Sequence, residues 1–124
     1  MIGTLQGVVL DCPEPLGLAR FYAGLLGGEV DRADPRWSLD DDWSTLHLAS
    51  GVVLAFQRAT DHRPPRWPDP AHPQQFHLDV GVADLDVGHA RVVALGARPL
   101  DVDGARGWNV YADPAGHPFC LVRE

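Results

Sequence analysis

An internal repeat constrains the fold of this chain more than any other feature of its sequence. Gly7–Glu14 aligns with His77–Asp84, and Ser50–Gln57 aligns with Ala115–Val122. Each half begins with a strand pattern, continues with a helical pattern that ends in Leu-Gly, and closes with about three further strands. Since a repeat outweighs local propensity, the sequence predicts two copies of a βαβββ unit.

The second copy has the clearest pattern. Apolar residues alternate through the predicted strand Phe76–Val82, so His77 and Asp79 point the same way, opposite to the core-facing residues. A helix is predicted over Asp84–Leu95, and its counterpart in the first copy is predicted over Leu16–Leu26. We expect no other substantial helix. His77 and Asp79 therefore become the first candidates for a functional site.

The segment between the two copies differs from both. Residues 61–75 contain five prolines and no hydrophobic periodicity, which predicts a rigid, extended linker. We expect a single domain at 1–124, with module one at 1–58, the linker at 59–75 and module two at 76–124. The predicted fold class is α+β: two βαβββ modules form a curved, roughly eight-stranded mixed sheet, with both helices on its convex face and a cup on the other.

Charge and cysteine content exclude several partners. The formal net charge is -7, so we expect no nucleic acid and no membrane as a partner, because both require a basic surface. No apolar run reaches membrane-spanning length, and no basic-then-apolar leader is visible, so we expect a cytoplasmic protein. Cys12 and Cys120 lack a CxxC spacing, which favours reduced thiols over a disulfide.

Three stretches resemble a known family. Phe21-Tyr22 in the first helix, LDVGVADLD at 78–86 and DPAGHPFCLV at 113–122 are similar to the vicinal oxygen chelate superfamily. That superfamily includes glyoxalase I, bleomycin and fosfomycin resistance proteins and extradiol dioxygenases. The resemblance covers nearly the whole chain. LDCPEP at 10–15 and YADPAGHPFCLV at 111–122 look most like the small glyoxalase-like domain proteins of actinobacteria.

The resemblance also implies where a divalent ion would be held. The family uses four cup-facing positions, one on the first strand and one on the last strand of each module. These positions fall on Gly7, on Ala55 or Gln57, on His77 and on Cys120. Because His77 is the one ordinary ligand among them, we expect no cofactor and a largely lost metal site. If a divalent metal is bound, His77 is its ligand, with Asp79 as a second donor and Gln57 as a weak third.

We expect the ligand on the face of the repeated strands that points away from the helices. The predicted ligand-binding residues are Gly7, Trp43, Ala55, Gln57, His77, Asp79, Trp108, Tyr111 and Cys120. Gly7 and Ala55 are small, and we expect them to leave open volume under an aromatic rim. His77 and Asp79 would fix the orientation of the guest. A purely structural role stays open for His77 and for Cys120.

Two functions of different classes follow. The first hypothesis is a metal-free protein that binds a small apolar or aromatic molecule in a cup between the modules. The alternative is a lyase- or isomerase-type enzyme, with His77 and Asp79 as a catalytic base or with a rearranged divalent metal site. An accessory role beside a neighbouring enzyme is a third hypothesis. The resemblance further implies a homodimer.

Overall fold

The computed structural model describes residues 1–37, 40–103 and 105–124. The chain divides into two compact units, the first unit Met1–His62 and the second unit Arg63–Glu124. The first unit contains β1 (Val8–Cys12), α1 (Pro15–Leu26), β2 (Glu29–Val30), β3 (Trp43–His47) and β4 (Val53–Arg58). The second unit contains β5 (Leu78–Val82), α2 (Leu85–Leu95), β6 (Arg98–Asp101), β7 (Trp108–Ala112) and β8 (Pro118–Arg123).

The two units share one topology. Their sheets have the strand orders β1-β4-β3-β2 and β5-β8-β7-β6. In each sheet the first strand pairs in parallel with the last, and the other neighbours pair antiparallel. The predicted α+β fold with two repeated βαβββ modules and mixed sheets is therefore confirmed. The single curved sheet and the module boundaries within one domain stay predictions.

Helix α1 packs on one face of the first sheet through aromatic side chains. Pro15 occupies the first turn, where the missing N–H costs no hydrogen bond. Tyr22 is fully buried and stacks on Phe56 of β4, with ring centroids 5.7 Å apart and an interplanar angle of 17°. Because side chains alternate along β4, Ala55 and Gln57 face away from this helix.

Helix α2 begins at a side-chain cap. Asp84 Oδ1 accepts hydrogen bonds from the backbone N–H groups of Asp86 and Val87, both at 2.9 Å. Gly96 ends the helix with φ of 111°, a left-handed conformation that glycine adopts without steric cost. Neither helix of the described residues is long and apolar enough to span a bilayer.

The strand that carries the candidate site is shorter than predicted. β5 begins at Leu78, whose partner on β8 is Phe119, and not at Phe76. In this register His77 would pair with Pro118, which has no backbone N–H to donate. His77 therefore lies just before the strand. Residues 59–75 contain neither helix nor strand.

Candidate functional site

The predicted site residues divide between the two units. Gly7, Trp43, Ala55 and Gln57 lie in the first unit. His77, Asp79, Trp108, Tyr111 and Cys120 lie in the second unit. Each group has its own geometry.

In the second unit, three potential metal ligands lie together on the sheet face opposite α2. Asp79 of β5 and Cys120 of β8 are register partners, so their side chains stand side by side. His77 Nε2 lies 3.3 Å from Asp79 Oδ1. One donor atom from each of His77, Asp79 and Cys120 lies within 4.8 Å of the others. The parallel pairing of the first and last strands thus joins donors that are over 40 residues apart.

The pKa of the Cys120 thiol is raised above its usual value. Partial burial, the negative charge of Asp79 and a hydrogen bond with Asp79 together raise the pKa of the Cys120 thiol to about 11. The thiol is consequently protonated at neutral pH. A neutral thiol is a poor nucleophile, so Cys120 alone does not supply covalent chemistry.

Two aromatic residues of β7 face opposite ways. Trp108 pairs with Val122 and is exposed on the Cys120 face, where the guanidinium carbon of Arg106 lies 5.1 Å from its ring centroid. Tyr111 stands three residues later, so alternation turns it toward α2. It is fully buried, and its hydroxyl lies 3.0 Å from His89 Nδ1. The expectation that Tyr111 lies at a ligand rim is therefore wrong.

In the first unit, the space above Gly7 is already filled. A Cβ atom at Gly7 would lie 2.7 Å from the carbonyl oxygen of Val53 and 3.0 Å from Cη2 of Trp37. Ala55 is completely buried on the same face. The expectation that Gly7 leaves open volume for a ligand is wrong, because the indole of Trp37, from the segment between β2 and β3, occupies that volume.

Beside this indole is a pocket of about 540 Å³. We call it the tryptophan pocket; it is lined by Arg36, Trp37, Asp40, Asp42, Trp43, Gln57, Arg58 and Thr60. The rings of Trp37 and Trp43 stack with centroids 6.0 Å apart and an interplanar angle of 20°. Trp43 and Gln57 are register partners on β3 and β4, and both were predicted. The other lining residues come from loops and strand ends, where no helix or strand periodicity predicts which side chains meet.

Both arginines of the pocket are engaged. Arg58 contacts Asp42 Oδ1 through Nε at 3.0 Å and donates to the carbonyls of Pro13 and Asp41. Arg36 forms an ion pair of 2.7 Å with Asp34. The hydrogen bonds from Arg36 hold the pKa of Asp34 well below its usual range.

Several buried polar atoms on this face lack a partner within residues 1–37, 40–103 and 105–124. They are the indole nitrogens of Trp37 and Trp43, the Thr45 hydroxyl and both ring nitrogens of His47. Trp43, Thr45 and His47 alternate along β3 and share the face of the sheet that points away from α1. Unpaired buried polar atoms are uncommon and are frequently satisfied by water or a ligand.

A family model described as a glyoxalase-like domain matches residues 7–122. This chain belongs to the glyoxalase-like domain family. Solved structures share its fold: the fosfomycin resistance protein FosX from Mesorhizobium loti has 15% identity and a TM-score of 0.66, with 98% of this chain and 92% of that chain covered. A glyoxalase-related enzyme from Fulvimarina pelagi has 18% identity and a TM-score of 0.66, with coverages of 99% and 89%. No curated protein matches the sequence significantly.

The donor set of this glyoxalase-like domain differs from the four-ligand set that the family resemblance implies. Gly7 and Ala55 have no donor atoms, whereas His77 and Cys120 do, and Asp79 adds a third. Tetrahedral Zn²⁺ with bonds of about 2.0–2.3 Å requires ligand atoms roughly 3.3–3.8 Å apart. Small side-chain movements would bring the three donors to that spacing. Imidazole, carboxylate and thiolate together suit Zn²⁺ or Co²⁺ better than Mg²⁺ or Ca²⁺.

Proposed function

We propose that this glyoxalase-like domain binds a small, largely aromatic molecule in the tryptophan pocket. The observation that carries the proposal is the stacked pair Trp37 and Trp43, which lines a pocket of about 540 Å³. Pockets for small ligands generally have volumes of roughly 300–1,000 Å³ and combine aromatic walls with a few polar groups. Gln57 supplies a neutral amide among those walls.

The family metal ion is not required for this function. The positions that the resemblance implies in the first unit are Gly7 and either Ala55 or Gln57, and Gly7 and Ala55 have no side-chain ligand atom. The absence of a side chain at Gly7 instead accommodates the indole of Trp37. The glycine that provides no metal ligand thus leaves room for an aromatic wall. A cup shared by both modules stays a prediction, as do a homodimer and a cytoplasmic location.

Screening and mutation test the proposal together. A library of metabolites and antibiotics is screened by thermal shift, and hits are measured by calorimetry. We expect Trp43→Ala to weaken binding of a hit at least ~10-fold, since aromatic contacts supply most of the affinity. Phe76→Ala, at an exposed aromatic residue of the second unit outside the predicted ligand-binding residues, is the matched control and should bind as wild type. Equal affinity of the wild-type protein and a folded Trp43→Ala variant would contradict the proposal.

A second candidate is an enzyme that acts through the second unit. The convergence of His77, Asp79 and Cys120 favours it. The carboxylate of Asp79 lies beside His77 Nε2 and would orient the imidazole ring. The imidazole of His77 would then act as the general base. Alternatively the three residues would hold a divalent ion, which supplies Lewis-acid polarisation of a substrate oxygen when bound. Each role uses the exposed face of β5 and β8.

Metal binding separates these two roles. Co²⁺ bound by a thiolate gives a charge-transfer absorption, which we expect with wild-type protein and with Cys12→Ser. Cys120→Ser should lose the absorption, and His77→Gln should weaken binding. Cys12 is the matched control because it is a buried thiol on the other sheet. If neither Co²⁺ nor Zn²⁺ binds, the metal role is excluded and only the base role survives.

A further inference from the structure

The charges around the tryptophan pocket are strongly unequal. The relevant set comprises the residues that line the pocket and the residues that form hydrogen bonds, ion pairs or strand register pairs with them. This set contains two guanidiniums, those of Arg36 and Arg58. The carboxylates of the same set are Asp11, Glu14, Asp34, Asp40, Asp41 and Asp42. Asp40 and Asp42 line the pocket together with the two guanidiniums, and the other four carboxylates belong to neighbours of the lining residues. Ser38 and Leu39, outside the described residues, carry no charge.

Both guanidiniums are held by groups of the protein. Nε and both terminal nitrogens of Arg58 already contact Asp42 or backbone carbonyls. Arg36 makes three hydrogen bonds to Asp34 and one to the side-chain oxygen of Gln6. An anion would have to compete with these contacts and would lie near the carboxylates of Asp40 and Asp42. The local field instead concentrates cations.

The aromatic walls favour the same sign of charge. An indole ring has a negative face and is the side chain that attracts cations best. In the second unit, Arg106 already lies over Trp108 in this way. Trp37 and Trp43 line an open pocket, so their surface is available to a guest. A flat ring fits against the stacked pair, and a positive charge is stabilised by the indoles and the carboxylates together.

We propose that the guest of the tryptophan pocket is a planar aromatic cation, such as an N-alkylated or protonated heteroaromatic ring. This inference rests on the proposed function and adds the charge of the ligand. Its ring packs against Trp37 or Trp43, and its charge faces Asp40 and Asp42. The attraction is partly electrostatic, so it weakens as salt rises.

Three probes of nearly equal shape test the charge. N-methylquinolinium is a cation, quinoline is neutral at pH 8, and naphthalene-1-carboxylate is an anion. Calorimetry at low ionic strength should give at least ~10-fold tighter binding of the cation than of quinoline, and no measurable binding of the anion. Added salt should reduce the preference for the cation.

A charge variant tests the position of the site. Asp40→Asn retains a side-chain oxygen for the backbone N–H of Asp42, which Asp40 now accepts at 2.9 Å. It should lower the affinity for N-methylquinolinium about 3- to 10-fold and leave quinoline unchanged. Asp103→Asn removes an exposed carboxylate of the second unit and is the matched control, with no change expected.

The outcomes separate this inference from the proposed function. If quinoline or the anion binds as tightly as the cation, and Trp43→Ala abolishes that binding, the inference is overturned while the proposed function stands. If none of the three probes binds, the inference is overturned, whereas the proposed function is overturned only by the library screen and the Trp43→Ala variant. Cation binding that survives Trp43→Ala and Asp40→Asn equally also overturns the inference, since the cation would then bind elsewhere.

Discussion

Gly7 provides the sharpest test of how the first unit is packed. A Cβ atom at this position would lie 2.7 Å from the Val53 carbonyl oxygen and 3.0 and 3.2 Å from two carbons of the Trp37 ring. The first distance is about half an ångström shorter than an ordinary carbon–oxygen contact, so either the strand or the indole must move. Overpacking of this kind costs about 1–3 kcal/mol. We therefore expect Gly7→Ala to lower the free energy of unfolding by about 2 kcal/mol.

The assay is equilibrium urea unfolding followed by circular dichroism. With a denaturant slope of about 2 kcal/mol/M, a loss of about 2 kcal/mol moves the midpoint by about 1 M. Gly3→Ala is the matched control, because a Cβ atom there would have nothing within 4 Å. Tryptophan emission should also change in Gly7→Ala as Trp37 is displaced. An unchanged midpoint in Gly7→Ala would show that Trp37 does not cover Gly7, and the argument for an aromatic wall would fail.

Three further predictions concern the second unit and the whole chain. Asp84→Ala should lower the free energy of unfolding by about 1 kcal/mol, because it removes the side-chain cap of α2. Glu14→Ala should lower it less, since Glu14 makes no side-chain cap hydrogen bond to α1. Urea unfolding of both variants measures the difference. At pH 8, iodoacetamide should alkylate native Cys120 roughly 100-fold more slowly than a thiol of pKa 9.0, because a pKa of about 11 leaves less thiolate. The alkylation rate should rise with pH up to about 11. Asp79→Asn should increase the rate because it removes a negative charge that raises the pKa of the thiol. Equal rates for the wild-type protein and Asp79→Asn would refute the contribution of that carboxylate. Light scattering should give twice the chain mass of 13.5 kDa if the predicted homodimer forms, and a monomer at micromolar concentration would contradict it.

The repeat and the alternation of side chains were readable from the sequence. Period-two patterns assign each strand residue to one of two faces whatever the rest of the chain does. The alignment of the two halves also implied which strands are equivalent, so Asp79 and Cys120 could be placed on one face. Their direct pairing follows from the parallel ladder between β5 and β8. These inferences depend only on local geometry and on self-similarity.

The tertiary structure decided which side chains fill the volume above those faces. Trp37 lies outside the strands, so no periodicity indicates that its ring contacts Gly7. Tyr111 was assigned by its aromatic character, although its position relative to Trp108 already turns it toward α2. Likewise, the carboxylates and guanidiniums of the tryptophan pocket come from separate segments. Loop conformation and long-range ion pairing determine these contacts, and neither has a local signature in the sequence.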